Sequence, residues 1–200
     1  LPISSFKKIS NHKTNKEDLT IAYDVSTCAF VKDVDPDTDD LAGTSFGGRP
    51  DKSRHHVQGI EINPDGTKIF LVFNDVNGNG DGVKEYNLST PYDIATMSLV
   101  TSGGIHLSKG AAGFNPDAIF IGLNGKRLFV TDHDKYTVTQ FTLHNPYDTS
   151  SFTEDGSVSI QDLTSDNNNQ TRALGFSKSG LKMFVSDDTG DDEIFEFNLT

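Results

Sequence analysis

Three times the chain runs a short apolar strand into a tight turn and out through a second apolar strand. The copies are Ile60-Glu-Ile-Asn-Pro-Asp-Gly-Thr-Lys-Ile-Phe-Leu-Val72, Ile119-Phe-Ile-Gly-Leu-Asn-Gly-Lys-Arg-Leu-Phe-Val130 and Leu174-Gly-Phe-Ser-Lys-Ser-Gly-Leu-Lys-Met-Phe-Val185. A glycine between alternating hydrophobics is a strong short-range hairpin signal, because the turn needs a residue that tolerates positive φ. That glycine is Gly66, Gly125 or Gly180. Two positions later comes a basic residue (Lys68, Arg127, Lys182), then an aliphatic residue and a phenylalanine. Phe70, Phe129 and Phe184 are therefore expected at equivalent buried positions. A chain built on one recurring hairpin is a repeat protein.

A second motif recurs in step with the first. Leu19-Thr-Ile-Ala-Tyr-Asp-Val-Ser-Thr27, Leu88-Ser-Thr-Pro-Tyr-Asp-Ile-Ala-Thr96 and Leu143-His-Asn-Pro-Tyr-Asp-Thr-Ser-Ser151 align, and Phe197-Asn-Leu-Thr200 matches Tyr86-Asn-Leu-Ser89. The leucines at 19, 88, 143 and 199 mark periods of about 55 to 70 residues. Strand-forming residues and Gly, Asn and Asp turns dominate, and no long segment keeps a helical period. The expectation is one all-β domain over 1–200, with repeats at about 19–87, 88–142 and 143–199. Each repeat has room for four strands, drawn around the Gly66 turn as Gln58–Asn63, Lys68–Phe73, Val83–Leu88 and Ser98–Ser102. The first repeat is the longest, and its surplus lies in the Gly- and Asp-rich stretch between Phe30 and Val57, read as a surface loop.

The pairing of Leu-Ser-Thr-x-Tyr-Asp-Ile-x-Thr with Asn-Pro-Asp-Gly-Thr-Lys-Ile-Phe resembles bacterial and phage β-propeller repeats, loosely of the lactonase-like and gluconolactonase-like kind. The resemblance covers nearly the whole chain from residue 19 onward. It implies a propeller-like array of about three four-stranded antiparallel blades. It implies little about activity, since propellers host many unrelated functions. Closed rings typically use about four to eight blades, so three leave broad sheet faces to cover. A fragment of a longer ring, or half of a dimeric ring closed by a second copy, is expected ahead of an open assembly. The first residue is Leu1 rather than Met, which fits a removed leader or a longer parent chain.

Charge narrows the partners. A formal net charge of -12 offers no basic stripe for a phosphate backbone, so nucleic acid is excluded as a partner. No apolar run approaches the roughly eighteen residues of a membrane-spanning helix. The lone Cys28 forms no intrachain disulfide and reads as a small buried hydrophobe.

Within Asn74-Asp-Val-Asn-Gly-Asn-Gly-Asp-Gly-Val83, Asp75, Asn77 and Asn79 supply oxygens at alternate positions, and Asp81 follows. This is the first half of an Asp-x-Asn-x-Asn-Gly calcium loop, similar to loops of integrin-type propeller repeats. It lacks the bidentate Glu of the helical calcium loop, so a solvated turn remains the alternative. Asp33, Asp35, Asp37 and Asp39 form a second acidic stretch, read as a disordered acidic loop; if extended, the four carboxylates project to one side and repel unless a cation sits between them. His55, His56, Asp117 and Arg172 fall near the starts of the expected inner strands, where a propeller's channel opens, and could hold a metal or a carboxylate. His106 and His133 are further candidates. No nucleophile elbow, phosphate loop or zinc pair is present.

These features point first to a non-enzymatic module, extracellular or surface-associated, binding a protein or carbohydrate ligand through loops on a rigid ring. The alternative is a calcium-dependent lactonase-like hydrolase with its site in the central channel and the ion as Lewis acid.

Overall fold

The computed structural model describes residues 29–34, 55–75, 81–107, 114–163, 170–188 and 193–200. The chain divides into two compact units, Leu1–Asp33 and Val34–Thr200. Of the first, only residues 29–33 are described, with Phe30 and Val31 largely exposed. Cys28 and the carboxylates at 35, 37 and 39 lie outside the described residues.

The second unit holds three antiparallel sheets and, among the described residues, no α-helix. Sheet one contains β1 (His55–Ile62), β2 (Lys68–Asp75), β3 (Gly82–Leu88) and β4 (Met97–Leu99), with the short β5 (Ile105–His106) also on β3. Sheet two is β6 (Pro116–Gly122), β7 (Arg127–Asp132), β8 (Thr137–Asn145) and β9 (Asp148–Ser159) in sequence order. Sheet three is β10 (Thr171–Phe176), β11 (Lys182–Asp187) and β12 (Ile194–Asn198). The three expected hairpins are β1–β2, β6–β7 and β10–β11, in the registers that Gly66, Gly125 and Gly180 dictate.

Two details differ from the sequence reading. The fourth strand of sheet one stops at Leu99, because Gly103 and Gly104 break the extended run. The remaining edge of β3 is taken by β5, which pairs Ile105 with Val83 and His106 with Gly82. Sheet three shows three described strands rather than four.

The sheets stack face to face. Phe70 and Val72 of β2 meet Ile119, Ile121, Leu128, Val130, Phe141 and Leu143 of sheet two in one buried cluster. Phe129 and Val138 turn to the opposite face and meet Met183 and Val185 of β11. Phe176 joins them, stacked on Phe120 with centroids 4.4 Å apart. The unbroken apolar run Ile69–Phe73 is explained by this layering, since β2 buries both faces and Ile69, Leu71 and Phe73 sit in a separate cluster with Tyr86 and Leu88. Phe70 is fully buried and Phe129 nearly so, whereas Phe184 is only half-buried. It occupies the matching register position but lies on the face of sheet three turned away from sheet two, with Ile194, 75 % exposed.

Candidate functional site

The starts of β1, β6 and β10 share one end of the stack, because each pairs antiparallel with the end of its hairpin partner: His55 with Asp75, Pro116 with Asp132, Thr171 with Asp187. These first strands are also the neighbours through which successive sheets meet. A side-chain Cβ at Gly59 would lie 2.8 Å from the Asp117 carbonyl oxygen, so the backbones of β1 and β6 are nearly in contact. Each first strand breaks register near its start, between Val57 and Gly59, between Pro116 and Ile119, and between Thr171 and Ala173. The residues left outside the ladder are Gln58, Asp117 with Ala118, and Arg172. A bulge frees a residue from strand alternation and re-aims its side chain.

Asp117 and Arg172 meet there. Arg172 Nη1 donates to Asp117 Oδ2 at 3.0 Å and lies 3.1 Å from His133 Nδ1, while its Nε donates to Asp188 Oδ2 at 2.6 Å and its Nη2 to Gln170 Oε1 at 3.0 Å. His133 Nδ1 is 3.3 Å from Asp117 Oδ2, and its Nε2 is 3.3 Å from Asp134 Oδ1. Asn115 extends the network by donating to Asp134 Oδ2 at 3.2 Å and accepting from Asn74. Sheets one, two and three thus all contribute to one polar mouth. Burial works against the Arg172 charge, but its hydrogen bonds and Coulombic attraction to Asp188 and Asp117 outweigh that and raise its pKa. Beneath the mouth, Asp132 is fully buried and accepts from the backbone N–H groups of Asn115, Asp134 and Lys135. Desolvation raises its pKa, against those hydrogen bonds and the nearby Lys135 ammonium.

The other candidates fall differently. His56 is exposed beside Asn74 in the ladder, and His55 pairs by backbone with Asp75. His106 lies on β5, at the far edge of sheet one from β1. Asn77 and Asn79 lie outside the described residues, while Asp75 closes β2 and Asp81 is buried just before β3. Among the described residues, no three His, Cys, Asp or Glu side chains gather as a metal-ligand group. Asp188 and Asn115 were not singled out by sequence. Asn115 stands two residues before Asp117 and Asp188 directly follows the end of β11, so the repeat register held a signal for both.

No family model and no curated protein matches the chain. Solved structures do. The periplasmic gluconolactonase of Pseudomonas aeruginosa superposes with a TM-score of 0.57 at 16 % identity, over 73 % of this chain and 38 % of that one. A 6-phosphogluconolactonase candidate from Bacteroides uniformis gives 0.54 at 15 % identity over the same shares, and one from Bacteroides fragilis gives 0.53 at 20 %, over 75 % and 40 %. The sheets are propeller blades. The chain spans about two-fifths of the length of these propellers, and at such identities the likeness is one of fold. As a partial propeller, it carries its polar mouth at the starts of the first strands of its blades. No helix among the described residues is long and apolar enough to cross a membrane.

Proposed function

We propose that the chain is a non-enzymatic ligand-binding propeller module, secreted or surface-associated, whose mouth takes a neutral, hydroxyl-rich ligand of carbohydrate type. The observation that carries this is the double use of Arg172, whose guanidinium engages both Asp117 and Asp188. An anionic ligand would have to displace one of these carboxylates. A polyol has only to match the donors and acceptors that Asp117, His133, Asn115 and Gln170 present. The test is calorimetric titration with neutral oligosaccharides and with gluconate. Neutral sugars are expected to bind, with Arg172→Ala and Asp117→Asn each weakening them at least tenfold. Tighter binding of gluconate, or no effect of either substitution, would refute the reading.

A second reading, lactone hydrolysis, is favoured by His133, an imidazole held between Asp117 and Asp134 beside a cation. Saturable acid release from glucono-δ-lactone that disappears in His133→Gln would establish it over simple binding. The loop bearing Asp75, Asn77, Asn79 and Asp81 is proposed, on its sequence alone, as a weak calcium site. Closure of the ring by self-association completes this reading, and sedimentation at several concentrations tests it.

A further inference from the structure

In the polar mouth, one nitrogen of His133 faces two neighbours with opposite requirements. Nδ1 is 3.1 Å from Arg172 Nη1 and 3.3 Å from Asp117 Oδ2. A guanidinium only donates, so Arg172 is a partner for Nδ1 only while that nitrogen carries a lone pair. An ionised carboxylate only accepts, so Asp117 is a partner for Nδ1 only when that nitrogen carries a proton. The ring therefore has two arrangements, and each satisfies one neighbour at the expense of the other. Nε2 does not break the tie, because Asp134 Oδ1, 3.3 Å away, accepts a proton from it in both. The closer Arg172 contact marks the neutral arrangement, with the ring's one proton on Nε2.

The charges around the ring come from every neighbouring element. Its own turn carries Asp134, Lys135 and Tyr136, and Asp132 lies buried at the end of β7. Lys135 is engaged elsewhere, its Nζ 3.5 Å from Asp132 Oδ2 and 4.7 Å from the centre of the Phe114 ring. β6 supplies Asp117, and sheet three supplies Arg172 and Asp188. Sheet one reaches this network through the neutral Asn74, bonded to Asn115, and His55, His56 and Asp75 close the same end of that sheet. An imidazolium would thus sit between the carboxylates of Asp117 and Asp134, and the cation in contact with it is Arg172. That guanidinium has a second hold on its own side, through Nε to Asp188 and Nη2 to Gln170.

We infer that His133 is a proton-operated release for the ligand of this mouth, an inference that rests on the neutral-ligand reading above. A proton from solvent adds to Nδ1, the new N–H turns to Asp117 Oδ2, and Arg172 Nη1 withdraws from a ring that now carries its own charge. Arg172 stays with sheet three through Asp188 and Gln170. The Arg172–Asp117 pair, on which ligand binding depends, is thereby opened between sheets two and three. Ligand is held at neutral pH and let go in mild acid, the range in which histidine side chains change charge.

The test uses the full chain, isotope-labelled for nitrogen NMR, with and without the neutral trisaccharide maltotriose, between about pH 7.5 and about pH 5.5. Without sugar, the side-chain nitrogen resonances of Arg172 should move in step with the imidazole nitrogens of His133. In His133→Gln, whose amide offers Arg172 an acceptor but takes up no proton, they should stay still. With sugar, affinity should fall at least fivefold toward acid in the natural chain. In His133→Gln it should change less than twofold, whatever that variant's affinity at neutral pH. Asp132, whose pKa burial raises, and His56 are unchanged in the variant, so any effect of theirs survives there and is subtracted. Equal affinity across the range, a fall just as steep in His133→Gln, or Arg172 resonances that ignore the titration of His133 would overturn the inference and leave the neutral-ligand reading standing. Failure of maltotriose to bind at any pH would count against that ligand reading instead, and the sugar-free resonances would then decide the switch alone.

Discussion

Replacing Glu85 by alanine should unfasten sheet one from sheet two. Glu85 is 1 % exposed, and its two oxygens serve different partners: Oε1 takes Lys68, and Oε2 takes both the N–H and the hydroxyl of Thr149, itself fully buried on β9. Removing one member of such a buried group leaves the others desolvated, which costs about 3–5 kcal/mol. Two charge-assisted bonds at about 1.5–3 kcal/mol each give a similar figure. For a domain of this size, about 2–4 °C of melting temperature per kcal/mol translates that into a fall of about 6–20 °C. Glu85→Gln keeps the shape and one acceptor, and should cost less than half as much. Thr149→Val removes only the hydroxyl, so a double-mutant cycle with Glu85→Ala should return a coupling of about 1–2 kcal/mol. Urea unfolding of the five proteins measures the energies, and thermal melts measure the fall in melting temperature. A loss under 1 kcal/mol for Glu85→Ala, or equal losses for the Ala and Gln variants, would refute the latch.

The remaining predictions follow the same logic. Phe70→Ala should cost about 3–5 kcal/mol, as for a fully buried aromatic ring, and Phe184→Ala less than half of that by urea unfolding, because it is only half-buried. Burial raises the Glu61 pKa from 4.5 to about 7, so the native state holds a proton that the unfolded chain has lost; stability should fall as pH rises from about 4.5 to 7. Glu61→Gln should flatten that stretch of a melting-temperature profile. Calcium at millimolar concentration should raise the melting temperature of the natural chain but not of Asp75→Ala, with magnesium doing much less.

The hairpins were legible because their information is local: a glycine turn and the alternation on either side fix register without reference to the rest of the chain. Lys68–Asp75 was placed to within two residues for that reason. The Phe184 environment was not legible, since its burial depends on what stacks against sheet three rather than on its own strand. Asp117 and Arg172 were found from their places near the starts of the expected inner strands, and the bulges explain why those positions are special. Their partners were harder. His133, a candidate by residue type, and Asp188 both follow second strands, and Arg172 reaches His133 from the neighbouring blade, a distance in sequence that no local pattern encodes. The Lys68–Glu85–Thr149 latch was hidden for the same reason. Each residue looks like an ordinary strand position until the order of stacking is known.

The bulges at Gln58, Asp117 and Arg172 have a consequence for how such a chain can change over time. A residue inside a ladder is constrained twice, by its cross-strand partner and by the layer beneath it. These three positions escape the first constraint, so amide, acid and base have been accommodated on three otherwise similar hairpins. The mouth can therefore be rewritten one side chain at a time while the scaffold keeps its sequence. A library randomised at these positions should retain folded members at a frequency that the same randomisation at Val72, Val130 and Val185 would not approach.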